Sequence, residues 1–252
     1  MDKIKEKKVI KAYYRPQTIE EATKLLAKTN LEIVPIGGGS FVARHQENID
    51  AVVDLQGLGL NRIESKKDYF LVGATTTLQD LVTNHALPEN LRNAAKRDFS
   101  YNIRQRKTIA GVIVEKPESS ILLLALCALG SKIILLPSNN ELDINHWLQS
   151  KSIPDKGQFI GYIKIPQNIQ FEYESVSKTK EDKPLIAIAI SKGQKNAKNV
   201  LLSSKNVIAK PITEDEENLK IAYSQLINSD FSPEYFIKTT NTLIQRINRK
   251  IK

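Results

Sequence analysis

The sequence predicts an α+β chain built in two parts, and three observations support this prediction. Helix and strand signals alternate over roughly the first 150 residues. From about residue 160, a run of strand candidates is followed by helix candidates, an order typical of a separate α+β layer. The polar stretch 151–158 between them is the predicted linker. We therefore expect a first domain over residues 1–155, subdivided into 1–56 and 57–155, and a small α+β domain over residues 156–252.

The opening of the chain predicts, in order, a strand, a helix, a strand, a glycine loop and a strand. Thr18 and Glu21 have the spacing of a capping box, and Pro16 disfavours an earlier helix start. Residues 32–36 are a short apolar run that leads directly into the glycines, and residues 51–55 are a second such run. Both runs predict buried strands.

The middle of the chain contains short sequence patterns typical of strands and helices. Gly73 ends one strand and Gly130 ends one helix, because glycine readily adopts the backbone conformations found at such ends. The β-branched, apolar run 108–114 predicts a strand. The predicted elements are strand 69–73, a helix from Thr77, helix 90–98, strand 108–114, helix 121–129 and strand 132–136. After residue 160, strands are predicted at 161–166, 170–176, 185–190 and 199–202, followed by helices from Glu214 and Pro233.

Composition narrows the function without selecting a partner. A hydrophobic fraction of 41% with 26% charged residues is ordinary for a soluble globular protein. The net charge of +9 comes from lysines scattered along the chain, so a nucleic-acid-binding module would rest on charge alone, and no nucleic-acid partner is predicted. No apolar run reaches the roughly 18 residues of a membrane span. The first residues lack the apolar core of a signal peptide, so we expect a cytoplasmic protein.

Residues suited to catalysis or metal binding are few. The single cysteine, Cys127, excludes an internal disulfide, an iron–sulfur cluster and a zinc–thiolate site within this chain. It lies in an apolar run, which predicts a core residue. The three histidines, His45, His85 and His146, have no carboxylate or cysteine at ligand spacing. No catalytic side chain and no metal site is predicted.

The sharpest local feature is a run of three glycines. The chain has only 11 glycines, and Gly37, Gly38 and Gly39 are adjacent, directly after a predicted strand. Consecutive glycines let the backbone approach a phosphate with its N–H groups free to donate, and Ser40 adds a hydroxyl. The run is neither a Walker loop nor a G-x-G-x-x-G fingerprint. Taken alone, it leaves phosphate binding and a flexible turn equally open.

Three segments in order carry a resemblance to a known family. They are PIGGGSFV at residues 35–42, VGATTT at residues 72–77 and IRQRKTIAG at residues 103–111. Their order resembles the FAD-binding subunit or domain of the molybdenum hydroxylases, the family of the carbon monoxide dehydrogenase medium subunit and the xanthine dehydrogenase flavin domain. The resemblance covers nearly the whole chain and implies a two-part FAD-binding domain of the vanillyl-alcohol-oxidase/CO dehydrogenase flavoprotein type, followed by a small α+β domain.

The same resemblance implies a function and partners. The chain would bind FAD and pass electrons between iron–sulfur clusters and a final acceptor. A molybdopterin-containing large subunit and an iron–sulfur small subunit would hold the other centres, because one cysteine cannot ligate clusters.

The resemblance also implies the residues that hold the cofactor. The first loop maps onto Ile36, Gly37, Gly38, Gly39, Ser40 and Phe41. The second, a Thr-Ile-Gly-Gly-Asn pattern, maps onto Thr108, Ile109, Ala110, Gly111 and Val112. A Pro-x-Ser-Asp pattern maps onto Pro117, Glu118, Ser119 and Ser120, and a lysine of the C-terminal domain maps near Lys178.

Three positions depart from the family pattern. Ala110 stands in place of a glycine, Val112 in place of an asparagine and Ser120 in place of an aspartate. Each change removes a polar contact or narrows a backbone approach. These departures leave open an alternative, a family member that keeps the fold but serves as a structural or interaction subunit with weak or no flavin binding.

Overall fold

A computed structural model describes residues 10–40, 42, 49–150, 154–179, 182–193, 198–226 and 231–251. Within these ranges the strands form three sheets, of three, five and four strands. Helices lie between strands in the first half of the chain and follow the last sheet at its end. The predicted mixture of helices and strands is confirmed.

The three-stranded sheet contains the opening of the chain. It consists of β1 (Ala12–Tyr14), β2 (Ile33–Ile36) and β3 (Ala51–Asp54), all parallel, in the order β1-β3-β2. Helix α1 (Ile19–Leu26) connects β1 to β2, and its N-cap Thr18 accepts a hydrogen bond from the Glu21 amide. The predicted order of strand, helix, strand, glycine loop and strand is confirmed. Strand β2 is one of the two edge strands of this sheet, and the glycine loop follows it directly.

The five-stranded sheet is antiparallel, in the order β4-β5-β8-β6-β7. Its strands are β4 (Ile63–Ser65), β5 (Tyr69–Gly73), β6 (Lys132–Leu136), β7 (Asn140–Asp143) and β8 (Phe159–Pro166). The helices around it are α2 (Leu78–Thr83), α3 (Glu89–Asp98), α4 (Tyr101–Arg104), α5 (Ile109–Glu115), α6 (Ile121–Ala128) and α7 (Ile144–Gln149). Strand β8 begins after residue 155 and pairs with both β5 and β6. The domain boundary after residue 155 stays a prediction, and we propose to move it beyond β8 so that the strand stays with its sheet.

One predicted element is wrong. Residues 108–114 were expected to form a strand, and the chain instead forms helix α5 there. Ile109, Val112 and Ile113 are fully buried, whereas Val114 is 46% exposed, which is the i, i+3, i+4 pattern of a helix face. The Thr108 hydroxyl caps this helix by accepting a hydrogen bond from the Gly111 amide at 3.1 Å. Burial on one helical face and the cap therefore override the strand preference of the β-branched residues.

The last sheet is a four-stranded antiparallel unit in the order β12-β11-β10-β9. Its elements are β9 (Gln170–Val176), β10 (Ile186–Lys192), β11 (Lys198–Ser204) and β12 (Val207–Pro211), followed by α8 (Glu216–Ser224) and α9 (Pro233–Lys250). Alternate residues of β10 face opposite sides: the isoleucines pack with α9 and the alanines pack with α6.

Helix α6 joins the two parts of the molecule. All eight of its residues are buried, as a helix that is apolar on every side requires. It contacts α3 and also the four-stranded sheet. Ser120 caps its start and Gly130, at φ +63°, follows its end, so this predicted helix is confirmed. Cys127 lies inside it, 8% exposed, and burial raises the pKa of its thiol far above the usual range, as suits a core residue.

Candidate functional site

A cavity of about 590 Å³ lies beside the glycine loop, within the size range of small-molecule sites. Several separate stretches of the chain meet there, among them the end of β2 with the glycine loop, the turn after β5, the start of α5, and the segment before β8. The lining includes residues 31–40, Ala74, Thr75, Thr108, Ala110, Gly111, Val114 and residues 154–160. Part of the predicted linker therefore forms a wall of this cavity.

The first loop carries three consecutive glycine amides on the cavity wall. Among the described residues, none accepts a hydrogen bond from the amides of Gly37, Gly38 or Gly39. The Gly37 carbonyl is held by the Gln56 side-chain amide, which donates to it at 3.1 Å. A Cβ on Gly38 would collide with the Arg106 carbonyl oxygen, so this loop packs directly against the segment that precedes α5. The loop is thus fixed through its carbonyl and its close packing, while its amides have no acceptor in the part of the chain that the structure describes.

The second loop is bonded differently. The Ile109 amide donates to the Thr76 carbonyl at 3.0 Å, and the Ala110 amide donates to the Ala74 carbonyl at 3.3 Å. The Gly111 amide donates to the Thr108 hydroxyl. Its amides are therefore already used within the protein, and this loop can offer a ligand mainly a packed wall.

The base of the first loop carries a buried carboxylate. Asp54 is 3% exposed, and its carboxylate accepts hydrogen bonds from the Gln56 backbone amide at 2.9 Å and from the Tyr13 hydroxyl. The hydrogen bond to this carboxylate raises the pKa of Tyr13. Through Gln56, the Asp54 carboxylate helps to position the glycine loop.

The other end of the cavity lies near the end of α1 and the start of β2. Lys28, Glu32, Asp155 and Lys156 bring two positive and two negative side chains to this end. The Lys28 ammonium lies 5.6 Å from the centre of the Tyr14 ring. Leucine, isoleucine and valine side chains line the stretch between this charged end and the glycine loop. The cavity thus combines backbone donors, an apolar middle and a charged rim.

A second, much smaller crevice of about 40 Å³ lies at the start of α6. It is lined by residues 97–99, 117–120 and 182–184. The Ser120 hydroxyl donates to Asp98 at 2.5 Å, and the Asp98 carboxylate also accepts from the Ile121 and Leu122 amides at 2.8 and 3.0 Å. Burial raises the pKa of Asp98, and these three hydrogen bonds oppose that rise. A carboxylate therefore does lie at the start of α6, but it comes from Asp98 rather than from position 120.

The structure brings most of the predicted cofactor residues together. Those that line the large cavity are Ile36, Gly37, Gly38, Gly39, Ser40, Thr108, Ala110 and Gly111. Phe41 lies outside the described residues. Ser120 lines the small crevice, and the exposed Lys178 lines neither space, whereas Lys183 lines the crevice. Their roles toward a cofactor stay predictions.

Sequence reasoning did not assign Thr75, Gln56 or Lys156 to the site. Thr75 lies within the VGATTT segment that carried the family resemblance, so a signal for it was present. Gln56 and Lys156 carry no such signal, because only the folded chain brings them beside the glycine loop and the cavity.

With this geometry in view, comparison with known proteins defines the family. Residues 5–168 match the family described as the FAD binding domain in molybdopterin dehydrogenase, and the chain belongs to that family. FAD is the cofactor of the family. The match ends shortly after β8, in agreement with the strand pairing of the five-stranded sheet.

Solved structures with the same fold confirm the predicted architecture. The chain is similar to quinoline 2-oxidoreductase from Pseudomonas putida 86, with 17% identity and a TM-score of 0.75 over 95% of this chain and 96% of that chain. It is also similar to CO dehydrogenase from Oligotropha carboxidovorans, with 20% identity and a TM-score of 0.74 over the same shares. A third similar structure is CO dehydrogenase from Hydrogenophaga pseudoflava, with 15% identity and a TM-score of 0.75 over 95% of this chain and 96% of that chain.

Sequence relatives give a more limited match. The "Uncharacterized protein YgfM" of Escherichia coli K12 and that of E. coli O157:H7 are each 30% identical to this chain over 128 residues. The match covers 50% of this chain and 49% of each relative, so it spans about half the length of the curated relatives. Within the described ranges, no helix combines the length and apolar character needed to cross a bilayer.

Proposed function

We propose that this chain binds FAD in the large cavity and serves as the electron-transfer subunit of a molybdenum-hydroxylase-type oxidoreductase. The observation that carries the proposal is the meeting of both predicted loops at one cavity, where the amides of residues 37–39 have no acceptor among the described residues. Consecutive backbone donors suit a diphosphate, and apolar side chains along β2 suit an aromatic ring system. The cavity therefore fits a molecule that carries both groups.

The protein's own residues would have distinct tasks. The amides of residues 37–39 would donate to the cofactor's diphosphate, and the Ala110 and Gly111 backbone would pack against it. Gln56 and Asp54 would hold the first loop in place. Bound FAD would supply the redox chemistry by accepting and releasing electrons. None of these tasks requires a general acid or base from this chain.

We further propose that the iron–sulfur and molybdopterin centres lie on partner chains. The single cysteine, buried in α6, supports this, because clusters take several cysteine ligands. Purification of the native complex followed by iron and molybdenum analysis tests the proposal. A complex that contains flavin but neither metal would contradict it.

A second candidate function is a structural subunit that keeps the fold without flavin. The observation that favours it is Ala110, whose position lines the cavity where the family pattern has a glycine. Val112, in place of the asparagine, is fully buried in the core and offers no polar group to the cavity.

One titration separates the two candidates. The purified chain is titrated with FAD while flavin fluorescence is followed, with ADP and FMN as competitors. We expect FAD to bind, and ADP to compete better than FMN because only ADP carries a diphosphate. A chain that shows no binding at high FAD concentration, yet still copurifies with partner chains, supports the structural subunit and contradicts our proposal.

A further inference from the structure

Two adjacent threonines follow strand β5, and both have buried hydroxyl oxygens that lack a partner within the described ranges. Thr75 is 6% exposed and Thr76 is fully buried. Within the described part of the chain, neither hydroxyl oxygen forms a hydrogen bond, and neither contacts solvent. A buried polar atom without a partner destabilises the protein, and such atoms in native proteins commonly await a ligand or a water.

The two threonines differ in one respect. Thr75 lines the large cavity, whereas Thr76 does not. Both are fixed by their backbones: the Thr75 amide donates to Leu60 at 2.8 Å, and the Thr76 amide donates to Gly73 at 3.0 Å. A ligand in the cavity could therefore supply a partner to the Thr75 side chain but not to that of Thr76.

Thr75 also lies against the second loop. The carbonyls on either side of it, those of Ala74 and Thr76, accept the amides of Ala110 and Ile109. The backbone donors of the second loop are thus used to hold the segment that contains Thr75. The Thr75 hydroxyl is a polar group of this wall that has no partner among the described residues and that a ligand could engage.

We propose that the Thr75 hydroxyl hydrogen-bonds to a phosphate or sugar oxygen of FAD bound in the cavity. The inference rests on the proposed function. The hydroxyl is screened from solvent in this structure. A rotation of about 120° about the Cα–Cβ bond would move the hydroxyl into the position that another substituent of Cβ now holds. The bond would then form on cofactor binding and satisfy an atom that has no partner in the described part of the protein.

Matched substitutions test this inference on the full chain. Thr75→Val removes the hydroxyl at nearly constant shape, Thr75→Ser keeps it, and Thr76→Val removes the neighbouring unpartnered hydroxyl outside the cavity. We expect Thr75→Val to raise the Kd for FAD roughly tenfold, and the other two variants to stay within about threefold of wild type. Without FAD, both valine variants should unfold at the wild-type temperature or above it, because each loses an unsatisfied polar atom.

The outcomes distinguish this inference from the function on which it rests. A wild-type chain without affinity for FAD overturns the proposed function, and the inference with it. A wild type that binds FAD while Thr75→Val binds equally well overturns the inference alone. Equal weakening by Thr75→Val and Thr76→Val also overturns it, because the effect would then come from packing.

Discussion

The amides of residues 37–39 have no acceptor among the described residues, whereas the amides of residues 109–111 all donate to protein oxygens. Both loops line the same cavity, and the first packs directly against the segment that leads into the second. The first loop is held through the Gly37 carbonyl and through close packing rather than through its amides. The second is the capped start of a helix, and its amides donate to the turn after β5 and to the Thr108 cap. Two loops that line one cavity thus differ in how their amides are bonded.

The largest expected effect comes from Gly38→Ala, which tests the contact between the two loops. The new Cβ would collide with the backbone carbonyl of Arg106, which cannot move aside as a side-chain tip could. We expect a loss of about 3 kcal/mol in the free energy of unfolding, measured with urea, and loss of FAD binding. Gly39→Ala is the matched control: its Cβ meets nothing within 4 Å, and its φ of +72° predicts a cost of about 1 kcal/mol. Equal stabilities for the two variants would contradict the close packing.

Asp98→Asn extends the comparison to the small crevice. The carboxylate accepts hydrogen bonds from Ser120, Ile121 and Leu122, and an amide nitrogen in place of one oxygen would face donors. We expect a loss of about 2 kcal/mol in the free energy of unfolding, with the Kd for FAD unchanged. Asp182→Asn, an exposed residue of the same crevice, should cost less than about 0.5 kcal/mol. If Asp98→Asn weakened FAD binding while stability stayed constant, the crevice would belong to the cofactor site.

Thr108→Ala tests whether the second loop supports the cavity or binds the ligand. The Thr108 hydroxyl caps α5, so its removal should lower the free energy of unfolding by about 1 kcal/mol. The Kd for FAD should change by less than about threefold, because the loop amides already have protein acceptors. Thr108→Ser should restore stability. A tenfold loss of FAD affinity in a stable Thr108→Ala chain would make the loop a ligand contact.

Ala110→Gly gives the smallest expected effect and restores the family's residue. Glycine in the first turn of α5 should lower the free energy of unfolding by about 0.5–1 kcal/mol. Removal of a methyl group from the cavity wall should tighten FAD binding by roughly threefold. Parallel titrations of the variant and the wild type measure the ratio. Unchanged affinity would mean that the alanine does not weaken the site.

Local sequence patterns were sufficient to predict the elements that depend on a helix cap, on a terminating glycine or on a run of apolar strand residues. The N-cap at Thr18, the capping box at Thr77, the glycine that follows α6 and the apolar strands of the last sheet were all predictable. Helix α5 was not predictable. Its β-branched residues favour a strand, and the burial of one helical face, which favours the helix, is visible only in the folded chain. The polar strand β7 carries no apolar pattern at all, and it exists because β6 pairs with it.

For the site, the sequence was sufficient to predict which two loops form it. Glycine spacing and family order identified both loops, and they do meet at one cavity. The bonding of the second loop's amides was not predictable, because it depends on which carbonyls the turn after β5 places beside α5. The Asp98 carboxylate was missed for a similar reason: it is distant in sequence from the start of α6 that it caps.

Helix α6 has a consequence for how this protein can be divided. The family match ends at residue 168, yet α6 contacts β9 to β12, all of which lie beyond that point. A fragment cut after β8 would therefore expose part of an entirely apolar helix to water. We therefore expect a fragment that ends with the family match to be less stable than the full chain, because the apolar face of α6 that packs on the last sheet would lose its cover.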